Sequence, residues 1–162
     1  MRYYKSLFVL PVMLLLASVV TAHAGDNRNY KTHLSGDNEV PPVATQAQGQ
    51  AKFQLSRDGQ SLHYRLNVAD IEDVTMAHIH MAPAGTNGPI VAWLYPASPP
   101  PVLIEGRSDG VLAAGVLTAA DLAGPLAGQT LQDLVDAINA GNAYVNVHTT
   151  QNPGGEIRGQ IR

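Results

Sequence analysis

The sequence predicts an all-β fold, an antiparallel Greek-key β-sandwich with one short helix, at about residues 130–140, in a connection. Three observations predict it. Apolar and polar residues alternate with a period of two through several separate segments, as half-buried strands require. Fifteen glycines and eleven prolines among 162 residues supply turns at short intervals. Only one stretch of any length sets its apolar residues at the three- and four-residue spacings of a helix.

The first 24 residues read as an address and not as fold. Arg2 and Lys5 precede an apolar run from Leu7 to Val20, and Ala22-His-Ala24 places small residues before a cut at Gly25. That order is the one a secretory signal peptide shows. The run of 14 residues, interrupted by Pro11 and Ser18, is short for a membrane span, which needs roughly 20 apolar residues. An uncleaved anchor is the alternative. Cleavage would leave one domain, residues 25–162, with the net charge moved from −3 to −5 by the loss of Arg2 and Lys5. The absence of cysteine excludes disulfides, thiolate metal sites and a Cys nucleophile. It also suits a bacterial envelope, so the expected location is periplasmic or secreted.

Gly25 to Tyr30 is a polar lead-in and Thr32 to Ser35 a first strand. Glu39-Val-Pro-Pro-Val43 is extended, because a proline cannot donate to a ladder. Ala51, Phe53 and Leu55 alternate with Lys52 and Gln54; Leu62, Tyr64, Leu66 and Val68 alternate with His63, Arg65 and Asn67. With Arg57-Asp-Gly-Gln60 between them, the two runs form a hairpin. Val74 to Met81 is a further strand, separated from the hairpin by an acidic loop, Asp70, Glu72 and Asp73. Ile90 to Tyr95, apolar on both sides, reads as a central strand. Pro96 to Pro101 interrupts regular structure, and Gly110 to Leu117 is a strand with possible bulges at Gly110 and Gly115. A short turn spans Thr118 to Leu122. Thr130 caps the helix, whose buried stripe is Leu131, Leu134, Val135 and Ile138, with Asp133 at its positive end and Gly141 as a left-handed stop. Ala143 to Thr149 and Glu156 to Ile161 complete the strands.

Composition narrows function. With 45 % hydrophobic and 14 % charged residues the chain is neither a disordered tail nor a coiled coil. A net charge of −3 speaks against a nucleic-acid partner, which would call for a basic face. No Gly-x-Ser-x-Gly elbow, phosphate loop or dinucleotide fingerprint is present. The acidic group at 70–73 lacks the spacing of a calcium loop.

The chemistry-bearing motif is Met76-Ala-His-Ile-His-Met81. On a strand, His78 and His80 project from one face about 6.6 Å apart, so both rings can lean towards one ion. His148 shares a strand face with Tyr144 and Asn146, and a β fold can lay that strand beside the first. His78, His80 and His148 are therefore the expected metal ligands, with Met76, of the same parity, as a weaker fourth. Asn146 and Arg158 are the expected outer residues. A thioether beside imidazoles favours copper over zinc. Proton competition is expected as pH falls through about 6 to 6.5. The competing account is a polar cluster tying a loop to a strand. His63 reads as an exposed side chain, and His33 could join an N-terminal type of metal site only if the cut fell beside it, which it does not.

Leu34-Ser-Gly-Asp-Asn-Glu-Val-Pro-Pro-Val43, Ala77-His-Ile-His80, Gly85-Thr-Asn-Gly-Pro-Ile-Val91, Tyr144-Val-Asn-Val-His-Thr149 and Asn152-Pro-Gly-Gly-Glu-Ile-Arg-Gly159 together resemble the CHRD domain, first named from chordin and common in bacterial exported proteins. The resemblance covers about Tyr30 to Arg162 and implies a β-sandwich outside the cytoplasm. It assigns no activity, and the growth-factor binding of large animal members is not carried over. A more distant likeness is to copper-zinc superoxide dismutase. On that likeness His78, His80 and His148 correspond to copper ligands, but a disulfide and a second, zinc-binding loop are missing.

Three functions follow for weighing. The first is an exported protein holding copper for storage, delivery or sensing. The second is a metal-free surface module recognising a protein partner in the cell envelope, using strand edges or the Pro96–Pro101 loop near Trp93 and Tyr95. The third is a copper-only, dismutase-like enzyme, which needs an open coordination position and a cationic guide such as Arg158. No membrane span is expected after cleavage.

Overall fold

The structure is a computed structural model that describes residues 28–162; the charged, apolar and small-residue segment at 1–24 lies outside the described residues. Seven strands run β1 (Asn29–Ser35), β2 (Gln48–Leu55), β3 (Leu62–Met81), β4 (Ile90–Tyr95), β5 (Ile104–Leu117), β6 (Ala143–Thr149) and β7 (Ile157–Gln160), with one helix, α1 (Leu131–Asn139). Every ladder is antiparallel. The all-β class with a single short helix therefore holds. The pairing, however, draws a closed five-stranded ring, β1–β2–β3–β6–β7, where the sequence reading drew a Greek-key sandwich.

The 20-residue strand β3 explains the ring. Its first half pairs with β2 and β5, and its second half with β6 and β4. Val74 has Ile104 of β5 on one side and Thr149 of β6 on the other, so β2 and β6 share one edge of β3. β1 and β7 reconnect them: Ser35 lies opposite Arg158, and Lys31 and Arg162 exchange backbone hydrogen bonds of 2.8 and 3.0 Å.

Alternation sets the core. β1 and β2 bury every second residue, and Leu34, Leu62, Leu66, Ile71, Ile79, Val145, Val147, Ile157 and Ile161 are wholly buried. The hairpin turn forms as expected: Gly59 adopts φ +70°, and Asp58 accepts bonds from the Ser56 hydroxyl and the Gln60 N–H. α1 begins with a capping box in which Thr130 and Asp133 satisfy each other's backbone N–H, and it buries its predicted stripe. Gly141 follows at φ +72°.

Four expectations change. Asn29 and Tyr30 belong to β1 and not to the lead-in. The acidic segment does not separate two strands: Asp70 and Asp73 take left-handed φ of 55° and 52° inside β3 and bend it without ending it. Both are pinned across the bend, Asp70 by Arg107 and Asp73 by the Gly106 N–H and Gln151. β4 is not central: it has β3 on one side and a single bridge, Ala92 to Leu122, on the other. Gly115 marks no bulge; it lies opposite Tyr64, whose hydroxyl would sit 2.9 Å from a Cβ there. The register instead slips at Leu112, between the pairs Leu66–Ala113 and Asn67–Val111.

Candidate metal centre

The second half of β3 directs Ala77 and Ile79 into the core and His78 and His80 to the outside of the ring. β6 does the same with Val145 and Val147 inside and Tyr144, Asn146 and His148 outside. The ladder sets Met76 opposite His148, His78 opposite Asn146 and His80 opposite Tyr144. His148 is thus the diagonal neighbour of His78, and their rings close the gap.

This outer face is not solvated. His78, His80 and His148 are 0, 9 and 5 % exposed, and all of β6 is buried. Connecting segments fold over it and are held there by the face itself. Arg158 donates to the carbonyls of Thr86 (2.8 Å) and Pro83 (3.3 Å) and to Asn87 Oδ1 (3.0 Å). The Tyr144 hydroxyl accepts from the Gly88 N–H at 3.1 Å, and Gln160 donates to Ala82 O at 2.9 Å. The Arg158 guanidinium also lies 3.5 Å above the Tyr144 ring, which stacks on His80 with 4.9 Å between centroids. Trp93 of β4 meets His78 edge-on at 4.2 Å.

The three histidines converge. One ring nitrogen from each lies within 4.8 Å of the others. His78 Nδ1 is 3.1 Å from His148 Nε2. Two nitrogens each about 2.0–2.1 Å from one ion would stand about as far apart. The remaining nitrogens are assigned by backbone carbonyls. His80 Nδ1 donates to Gly88 O at 2.9 Å, and His148 Nδ1 donates to Pro153 O at 3.0 Å. Both rings consequently carry their lone pair on Nε2, the orientation that outer-sphere carbonyls impose on metal-binding imidazoles. His80 Nε2 and His78 Nε2 are buried without a hydrogen-bond partner. Such orphaned atoms are rare in folded proteins.

Electrostatics keep the rings neutral. Burial is the main cause in each case. His78 is pushed down to about 3, with the neighbouring His148 and His80 adding to the shift. His148 falls to about 4, although its bond to Pro153 opposes the change. His80 is lowered too, against the pull of its Gly88 bond and with Arg158 contributing. Neutral imidazole is the form that binds metals. These values lie well below the ordinary histidine range of about 6 to 6.5 on which the expected proton competition was based.

The other predicted residues lie around the three rings. Met76 is half-buried opposite His148. Asn146 turns to Glu39, donating to both carboxylate oxygens at 3.0 and 3.2 Å. Arg158 is buried and committed to the covering loop and to Tyr144. His63 is exposed, as expected, and so is His33.

Sequence reasoning missed Glu39, Tyr144 and Trp93. Glu39 is buried, and burial raises its carboxyl to about 7 against the opposing effects of Arg158 and Asn146. Its one sequence signal was a lone acid set between Asn38 and the Val-Pro-Pro segment. Gly155 was missed as well. At φ +128°, a Cβ there would lie 2.4–2.5 Å from the Asn146 amide.

No curated protein and no solved structure matches the chain. The family model described as CHRD domain matches residues 30–161, nearly all of the described chain and both segments that carry the histidines. The protein belongs to the CHRD-domain family.

Proposed function

We propose that this CHRD-domain protein is an exported metal-binding protein that coordinates a copper ion through His78, His80 and His148, for storage, delivery or sensing. One observation carries the reading: two backbone carbonyls fix the tautomers of His80 and His148 so that their lone pairs meet His78 in a buried pocket. A merely structural cluster has no need of a partnerless His80 Nε2.

Three neutral imidazoles suit copper, zinc, nickel and iron; among divalent first-row ions copper binds such sets most tightly. Met76 beside His148 adds a soft atom within the same strand pair. The chain's part is to hold three nitrogens, exclude water and leave a further position for water or a ligand from a partner. The dismutase-like reading ranks behind, because Arg158, its cationic guide, spends its donors on residues 83–87.

Titration of untagged protein with Cu²⁺ and Zn²⁺, followed by elemental analysis, tests the proposal. One equivalent of copper is expected, lost in the His78→Ala/His80→Ala/His148→Ala variant. Stoichiometric binding that survives this triple replacement rules the site out. A protein that takes up no metal leaves the metal-free surface module, for which the exposed Val102 and Leu103 beside the proline loop are the natural contacts.

A further inference from the structure

The outer side of β1, β2 and the first half of β3 carries a row of cations that the fold does not require. Lys31 stands opposite Lys52, and Lys52 opposite Arg65. Arg162 extends the row through its two backbone bonds to Lys31. Neighbouring strands lie about 4.8 Å apart, so the cationic residues succeed one another at that interval across the sheet. All four are exposed, and none forms an ion pair with a described residue.

Like charges directly opposite one another weaken a sheet. A sheet built only to fold would place an acid at the middle position, and a chain with 13 acidic residues has them to spare. The bend of β3 does follow that rule, since Arg107 lies between Asp70 and Asp109. The net charge of −3 concealed this face because it is a sum over the whole surface. An anion from outside the chain is the natural counterpart.

The class of anion follows from what surrounds the row. The cationic residues line an open hollow of about 740 Å³. Between them stand amides: Gln50 and Gln54 flank Lys52, and Asn67 follows Arg65. Amides donate to and accept from hydroxyl groups. Single-stranded nucleic acid would need a series of exposed rings on which bases stack, but Tyr30, Phe53 and Tyr64 along this hollow are buried, which leaves the His63 imidazole alone exposed among the lining rings. Membrane docking would need exposed apolar side chains among the cations, whereas the exposed residues beside them, Gln50, Gln54 and His63, are polar.

We propose that this face is a docking surface for an acidic polysaccharide, with carboxylate or sulfate groups meeting Lys31, Lys52, Arg65 and Arg162 and hydroxyl groups meeting the intervening amides. The surface is independent of the histidine cluster.

The test measures binding of the purified full chain to immobilised polygalacturonate and heparin, with dextran as the neutral control. Retention on one or both acidic polymers is expected, with none on dextran, and release as salt rises from about 0.02 to about 0.5 M. Lys52→Glu should weaken binding roughly tenfold or more while leaving copper uptake unchanged. It should also raise the thermal midpoint, because one acid then faces two cations. Should that variant fold poorly, Arg65→Gln is read in its place. No retention on either acidic polymer, or retention that neither substitution weakens, overturns the proposal. So does tighter binding to phosphatidylglycerol vesicles or to single-stranded DNA than to both polysaccharides.

Discussion

His78 Nδ1 lies 3.1 Å from His148 Nε2 although seventy residues separate them in the chain. Because His148 gives its own proton to Pro153, the metal-free contact has His78 as donor. An ion entering between them displaces that proton to the other nitrogen of the same ring. Binding near neutral pH should therefore release almost no protons. Calorimetric titration in buffers of different ionisation enthalpy measures this directly, and release of one or more protons per metal would contradict it.

Copper affinity should respond to pH in an unusual range. Histidines of ordinary pKa would lose affinity from about pH 6.5 downwards. Here His78 and His148 titrate at about 3 and 4 in the folded protein. Affinity should change little between pH 7 and 5.5 and collapse towards pH 4. Competition titrations against a chelator across that interval would show a decline centred near 6.5 if the idea is wrong.

Stability of the metal-free protein should also depend on pH, with opposing contributions. The folded pKa values of His78 and His148 lie below the unfolded value of about 6.5. Their contribution is complete above that value and is lost as pH falls towards 4 and 3. Glu39, raised from 4.5 to about 7, acts in the opposite sense: its contribution is complete below 4.5 and is lost as pH rises through 7. Two histidines outweigh one carboxyl, so the urea midpoint should fall between pH 6.5 and 4.5. Glu39→Gln removes the compensation and should steepen that fall.

Gly155→Ala should cost about 2–4 kcal/mol, since a Cβ at φ +128° would run into the Asn146 amide. Gly59→Ala, at φ +70° with nothing within 4 Å, should cost only about 1 kcal/mol. Urea denaturation of both variants provides the comparison. Equal losses would mean that the contact with Asn146 is immaterial.

Arg158→Lys should loosen the loop at 82–88. Lysine keeps the charge but loses the planar stack on Tyr144 and the fork of donors to Pro83, Thr86 and Asn87. The carbonyl of Gly88 that orients His80 belongs to that loop. Copper dissociation should accelerate by roughly tenfold. An unchanged dissociation rate would show that Arg158 serves the fold alone.

Much of the strand pattern was legible in the sequence because alternation is local. The parity that puts His78 and His80 on one face follows from the backbone, as does the placement of His148 with Tyr144 and Asn146. What alternation cannot report is whether a polar face meets water. Glu39 and Asn146 interact across 107 residues of chain, and the segments that bury them carry no periodic signal. The bend at Asp70 and Asp73 was hidden for a related reason: acidic residues at left-handed φ look like a loop, although pairing with β5 slips in register at each of them and resumes at Ile71 and Val74.

β7, only four residues long, sits between the first strand and β6 and completes the circuit. Without Ile157 to Gln160 both of those neighbours keep an unsatisfied edge, so the circuit cannot close until this short segment is seated.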